Sequence, residues 1–149
     1  MASRSLDDLR AELRPAVDAW LQDCAKAGLD ILVYCTLRSF EEQAREYAKG
    51  RTTPGLPCTH AGKTRVIGTC EQHPLGLIVT KAKPGQSAHQ YGLALDFVPL
   101  QNGRAQWQNA AAYGLAIQLA EARGLQSLRP FESAHLQHPN WKSIANLGG

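Results

Sequence analysis

The stretch SAHQYGLALD, Ser87 to Asp96, decides how this chain is read. It sets a histidine and an aspartate seven positions apart among small and apolar residues. Run straight as a strand, it would hold His89 and Asp96 roughly 23 Å apart, too far for one ion to touch both. Bringing the two side chains to one point requires the chain to fold back. Gly92 permits that bend, because it lacks the Cβ that penalises left-handed backbone. After the bend, YGLALDFV, residues 91–98, has the apolar, β-prone character of a strand.

Working outward, Ser5-Leu6-Asp7-Asp8 reads as a capping box opening a helix. Leu6, Leu9, Leu13, Val17, Trp20, Leu21 and Cys24 share one helical stripe, with a kink or two abutting helices expected at Pro15 and a stop at Gly28. Ile31–Cys35, ILVYC, reads as a buried strand. Ser39 caps a second helix from Phe40 to about Lys49, ended by Gly50. Residues 51–86 change character, being rich in Gly, Pro, Thr and Lys, with β-like pieces TRVIG and GLIVT. An irregular insert with cysteines and histidines occupies about 55–77. Trp107–Arg123 reads as an Ala-rich helix closed by Gly124. Extended pieces follow at Gln126–Leu128 and His135–Gln137, then a helical turn at Trp141–Leu147. Helices with several short, non-alternating strands make an α+β domain over 1–149, a small antiparallel sheet with flanking helices.

The chain has 149 residues, 44% of them apolar, and a net charge of +3 from 16 basic and 13 acidic side chains. That mild excess suits an anionic polymer such as a cell wall. No Lys/Arg cluster with interleaved aromatics points to nucleic acid. Apolar runs fall far short of the ~18 residues of a membrane span, so no membrane insertion is expected. The N-terminus MASRSLDDLRAELR is charged throughout and lacks a signal-peptide core, so the protein is expected to be cytoplasmic when made. Four cysteines at this length do not make a disulfide scaffold. Cys24, Cys35 and Trp20 read as core, and His138 as an exposed turn residue.

A catalytic zinc usually takes three protein ligands and keeps one position open. His89 and Asp96 supply two, and His135 in FESAHLQ supplies a third. Glu132, three residues before it, would stand beside the metal without binding it. Metal-assisted hydrolysis needs such a carboxylate to take a proton from water and pass it to the leaving amine. Arg38 follows the strand ILVYCT where the chain turns into a helix. A fixed guanidinium there would stabilise negative charge developing on a peptide carbonyl. The plainer alternative pairs Arg38 with Glu41 or Glu42. Ser87 either hydrogen-bonds substrate or a ligand's neighbour, or simply caps a turn.

SAHQYGLALD resembles the Ser-x-His-x-x-Gly-x-Ala-x-Asp motif of peptidase family M15, the zinc D-Ala-D-Ala carboxypeptidases and L-alanyl-D-glutamate peptidases. Glu132-x-x-His135 resembles the second motif of that family. LRSFEEQAREYAKGRTTPG, and GLALDFVPL followed by Trp107, are similar to its L-alanyl-D-glutamate endopeptidase branch, common among phage endolysins. The resemblance implies the hedgehog-like fold of those carboxypeptidases. It implies a zinc peptidase of bacterial peptidoglycan, with His89, Asp96 and His135 as zinc ligands, Glu132 as base and Arg38 polarising the carbonyl. The bond implied is L-Ala–D-Glu; a leaderless wall enzyme, acting after release, fits a phage lysis protein or a prophage gene in a bacterium. The alternatives are D-Ala-D-Ala carboxypeptidase activity and a non-catalytic zinc domain that binds cell wall. GLQSLRPFESAH departs from the Gly-Gly-Asp-Trp-like stretch common in the branch, and the insert is a second departure.

Within the insert, Cys58-x-His60 and Cys70-x-x-His73 leave three readings open. The four residues bind a structural zinc, Cys58 and Cys70 form a disulfide in an oxidising cell envelope, or the thiols stay free on a substrate-facing loop.

Overall fold

The computed structural model describes residues 2–57, 59–60, 63–64, 72–128 and 132–146, with 59, 60, 63, 64, 132 and 133 described by backbone alone. Ser5 caps only a 3-10 turn, Leu6–Asp8, its Oγ accepting from the N–H of Asp7. Helix α1 (Arg14–Lys26) starts separately, with Pro15 in its first turn. Of the kink or two abutting helices expected at Pro15, the structure has two elements, the first only a 3-10 turn. Pro15 starts a helix instead of bending one, since a first-turn N–H has no intrahelical partner to lose. The stripe still forms, because Leu9, Leu13, Val17, Trp20 and Cys24 are all buried.

Strand β1 (Asp30–Cys35) leads to α2 (Phe40–Ala48), whose N-terminus is closed by reciprocal bonds between Ser39 and Glu42. Two short strands, β2 (Thr59–His60) and β3 (Lys63–Thr64), form a separate ribbon. The expected GLIVT strand reduces to one bridge, Leu56 to Leu77. Ile78 there is 52% exposed, so the segment has no sheet face to cover.

Strands β4 (Ala94–Gln101) and β5 (Arg104–Ala105) form a hairpin. Helix α3 (Ala110–Ala122) starts later than the sequence suggests, where Asn109 accepts the N–H of Ala112 at 3.1 Å. Strands β6 (Gln126–Leu128) and β7 (Glu132–Gln137) and the short helix α4 (Trp141–Ile144) follow as the last elements among the described residues. The main sheet runs β1-β4-β7-β6, antiparallel throughout, with β5 beside β4.

The core lies between this sheet and helices α1 and α3. Trp20 meets Phe97 edge-on at 5.0 Å and donates its indole N–H to Ala116 O at 2.9 Å. Tyr113 of α3 packs on the same Phe97. Strand alternation then turns Asp96 to the opposite face. Among the described residues no helix is long and apolar enough to cross a membrane.

The bend is a 3-10 turn, Ala88–Tyr91, closed by Gly92 at φ +69°. A Cβ on Gly92 would stand 2.8 Å from Asp8 O. Left-handed backbone costs an L-residue roughly 1–2 kcal/mol, and the backbone clash adds to that. Gly92→Ala should therefore lower the thermal midpoint by about 4 °C or more, read by circular dichroism. An unchanged melt would remove the need for glycine at the bend.

Candidate metal centre

Asp96 sits in the middle of a row across three strands. It pairs with Cys35 on β1 and with His135 on β7. The 3-10 turn brings His89 over this row. Ser87 closes that turn, its Oγ accepting the N–H of His89 at 3.3 Å, while Gln90 Oε1 accepts the N–H of Ser87. Ser87 thus acts as a cap.

The two histidines present defined nitrogens. His89 Nδ1 lies 2.8 Å from Thr36 O, a pure acceptor, so Nδ1 carries the proton. Its Nε2 lone pair then faces Asp96 Oδ1 at 3.2 Å. His135 Nδ1 faces the same oxygen at 3.4 Å, and its Nε2 lies 2.8 Å from Gln137 Oε1. The rings meet edge to face at 4.9 Å. The two nitrogens and the carboxylate oxygen so directed repel one another unless a cation, a proton or a metal ion, lies among them.

Burial disfavours charge on both His89 and Asp96, and their mutual attraction overrides it. The Asp96 carboxylate, with help from Cys35, pushes His89 up to about 10. His89 beside it holds the Asp96 carboxyl well below the usual carboxylate range. A dication entering here must displace the proton that Asp96 draws onto His89.

Arg38 stands at the edge of this group. Its backbone N–H donates to His89 O at 3.0 Å. Nη1 donates to Gln43 Oε1 at 2.9 Å, and Nη2 lies 3.7 Å from Asp96 Oδ2. Gln43 is itself fully buried and donates to Ala82 O. The alternative pairing of Arg38 does not form: Glu41 binds Arg45, and Glu42 closes the cap of α2.

Cys35 is buried, but on the side of the metal-competent groups. Its Sγ lies 3.5 Å from Arg38 Nη2 and 3.8 Å from His89 Nδ1. Donor atoms of Cys35, His89 and Asp96 all fall within 4.8 Å of one another. Sequence reasoning assigned this thiol to the core. The only local signal was its place three residues before Arg38.

Glu132 opens β7, and its side chain lies outside the described residues. In a regular strand, residues three apart face opposite sides. Here the β6–β7 register jumps from Ser127↔Leu136 to Leu128↔Glu132, which lifts that constraint between Glu132 and His135. Cys58 and Cys70 also lie outside the described residues, and His60 is described by backbone alone, so the expected Cys58, His60, Cys70, His73 group stays an expectation.

Arg38, Ser87, His89, Asp96, His135 and Gln137 line one cleft. Past Val79, Thr80, Ala82 and Leu128 it continues into a mostly apolar groove with Ile78 and Arg51.

The family described as VanY, D-alanyl-D-alanine carboxypeptidase, matches residues 6–130. The chain belongs to this family. The M15 membership expected from SAHQYGLALD is thereby met. The VanY match contains Arg38, His89 and Asp96 but stops short of Glu132 and His135; the pairing Asp96↔His135 joins the last motif to it. The chain is 33% identical over 90 residues to the peptidoglycan L-alanyl-D-glutamate endopeptidase CwlK of Bacillus subtilis strain 168, covering 60% of this chain and 41% of that one. It thus spans about two-fifths of that relative's length.

Solved structures share the fold. The L-Ala D-Glu endopeptidase ChiX of Serratia marcescens superposes with a TM-score of 0.58 at 15% identity, over 96% of this chain and 92% of that one. A D,D-pentapeptidase VanY from the VanB-type resistance cassette, an E175A mutant in complex with Zn(II), gives 0.58 at 16% identity, over 93% and 77%. The LD-carboxypeptidase LdcB gives 0.57 at 20% identity, over 93% and 64%.

Proposed function

We propose that the chain is a zinc peptidase of bacterial peptidoglycan that hydrolyses the L-alanyl–D-glutamate bond of stem peptides. The observation that carries it is the convergence of His89 Nε2 and His135 Nδ1 on Asp96 Oδ1. Two imidazoles and a carboxylate suit zinc, and three protein ligands leave a position for substrate. A zinc ion held by His89, Asp96 and His135 would supply Lewis acidity and activate water.

The chain's own groups do the rest. Arg38, held by Gln43, presents its guanidinium where a carbonyl oxygen gathers charge. Glu132 takes and returns the proton. Glu132→Gln should keep the ion and slow turnover roughly 10²-fold or more. Wild-type rates in the zinc-loaded variant would remove Glu132 as the base.

The choice of bond is supported by the likeness to CwlK and ChiX, and by a cleft that runs on past the metal-competent group. The family description favours a second reading, removal of terminal D-Ala. Mass spectrometry of digested peptidoglycan separates them. The first expects stem peptides that begin with D-Glu, L-Ala left on the glycan, and no products after chelation. Free D-Ala as the only product would establish the second. Binding to the wall with no cleavage would make the chain a non-catalytic module.

A further inference from the structure

His89 and His135 are fixed by different means. His89 leans on a backbone carbonyl, Thr36 O, which accepts and cannot turn round. His135 leans on a side-chain amide, Gln137, which has an accepting end and a donating end. Which end faces the ring decides where the His135 proton sits. Gln126 stands opposite Gln137 across β6 and β7, and its Oε1 accepts from Gln137 Nε2 at 2.8 Å. With Gln126 presenting its carbonyl end in that bond, Gln137 Oε1 faces His135 Nε2.

Resting on the zinc reading above, we propose that Gln126 and Gln137 act as a positioning pair that selects the metal-binding tautomer of His135. With Gln137 Oε1 at 2.8 Å, His135 Nε2 carries the hydrogen and Nδ1 keeps its lone pair beside Asp96. A turned amide would aim N–H groups at Nε2 and move the ring hydrogen to Nδ1. That hydrogen would then point at Asp96 Oδ1 and close His135 to a metal ion. The Nδ1 to Asp96 distance of 3.4 Å is too long to compete well with the 2.8 Å bond to Gln137. Gln137 is buried, whereas Gln126 is exposed, so a surface side chain controls a buried ligand. Partners behind a ligating histidine typically carry 10–100-fold in metal affinity.

The test measures zinc affinity of the full chain by competition with a chromophoric chelator. The His135 tautomer is read from ring ¹⁵N shifts in metal-free protein at alkaline pH. Gln137→Met, close in shape but without a strong acceptor, should weaken zinc roughly 10–100-fold and lose the Nε2–H signature. Gln137→Glu, which can only accept, should restore both. Gln126→Met should weaken zinc several-fold with Gln137 present and do nothing in the Gln137→Glu background. That loss of coupling is a result a merely structural role would not give. Unchanged zinc affinity in Gln137→Met, or an equal Gln126→Met effect in both backgrounds, would overturn the proposal. If wild-type protein bound no zinc, the peptidase reading would fall, and the ¹⁵N tautomer comparison would still decide this one.

Discussion

Asp96→Ala should give a folded protein that neither retains zinc nor releases peptides from peptidoglycan. Asp96 Oδ1 is the one atom that both His89 Nε2 and His135 Nδ1 face, at 3.2 and 3.4 Å. It is also the only carboxylate among Cys35, His89, Asp96 and Arg38. Its removal leaves a dication two neutral imidazoles and, beside them, a guanidinium of like charge. Zinc affinity should fall well beyond the roughly 10–100-fold typical of a lost outer partner. The fold should survive, because Asp96 is the main group that draws charge onto His89 against the cost of burial. Without that carboxylate the ring returns to its neutral form and keeps its bond to Thr36 O. Asp96→Asn keeps an oxygen but not the charge, so its affinity should lie between the two. Metal content after dialysis, measured beside a circular dichroism spectrum, checks this. Full zinc occupancy in Asp96→Ala would dismantle the centre.

What could be read in advance was local. Gly92 had to be glycine for the chain to turn between His89 and Asp96, and its φ is indeed left-handed. Ser39 announced the start of α2 as its cap. The stripe from Leu6 to Cys24 misled on helix limits because periodicity reports which residues are buried, not which carbonyls are bonded. Pro15 held the correct information, as a start signal. GLIVT failed as a strand because β-prone residues pair only where a sheet edge is free, and the edges lie elsewhere in the chain.

The thiol of Cys35 was missed for the same non-local reason. Its place beside Arg38 and His89 follows from the pairing Cys35↔Asp96, which no stretch of sequence contains. Gln137 was within reach of sequence reasoning, since residues two apart in a strand share a face and it follows His135 by two. Gln126 was not, because only the β6–β7 register brings it to Gln137.

Arg38→Ala should slow turnover roughly 10²–10³-fold while zinc stays bound, the loss expected when a fixed donor to a developing oxyanion is removed. Two roles compete for this side chain. In one it stabilises substrate charge; in the other it holds Asp96 for the metal. The distances separate them. Arg38 Nη1 is bound to Gln43 Oε1 at 2.9 Å, whereas Nη2 is 3.7 Å from Asp96 Oδ2, long for a hydrogen bond. Asp96 is already paired with His89 at 3.2 Å, closer than the guanidinium, so its position does not depend on Arg38. A cation that close to a ligand carboxylate also opposes a dication. Arg38→Ala should therefore bind zinc as well as the wild type or more tightly. Arg38→Lys should recover only part of the rate, because a point charge cannot span Gln43 and the cleft at once. The decisive comparison is turnover against zinc affinity in the same preparation. If Arg38→Ala loses both together, the guanidinium serves the metal ligand, and the carbonyl must find its stabilising charge elsewhere.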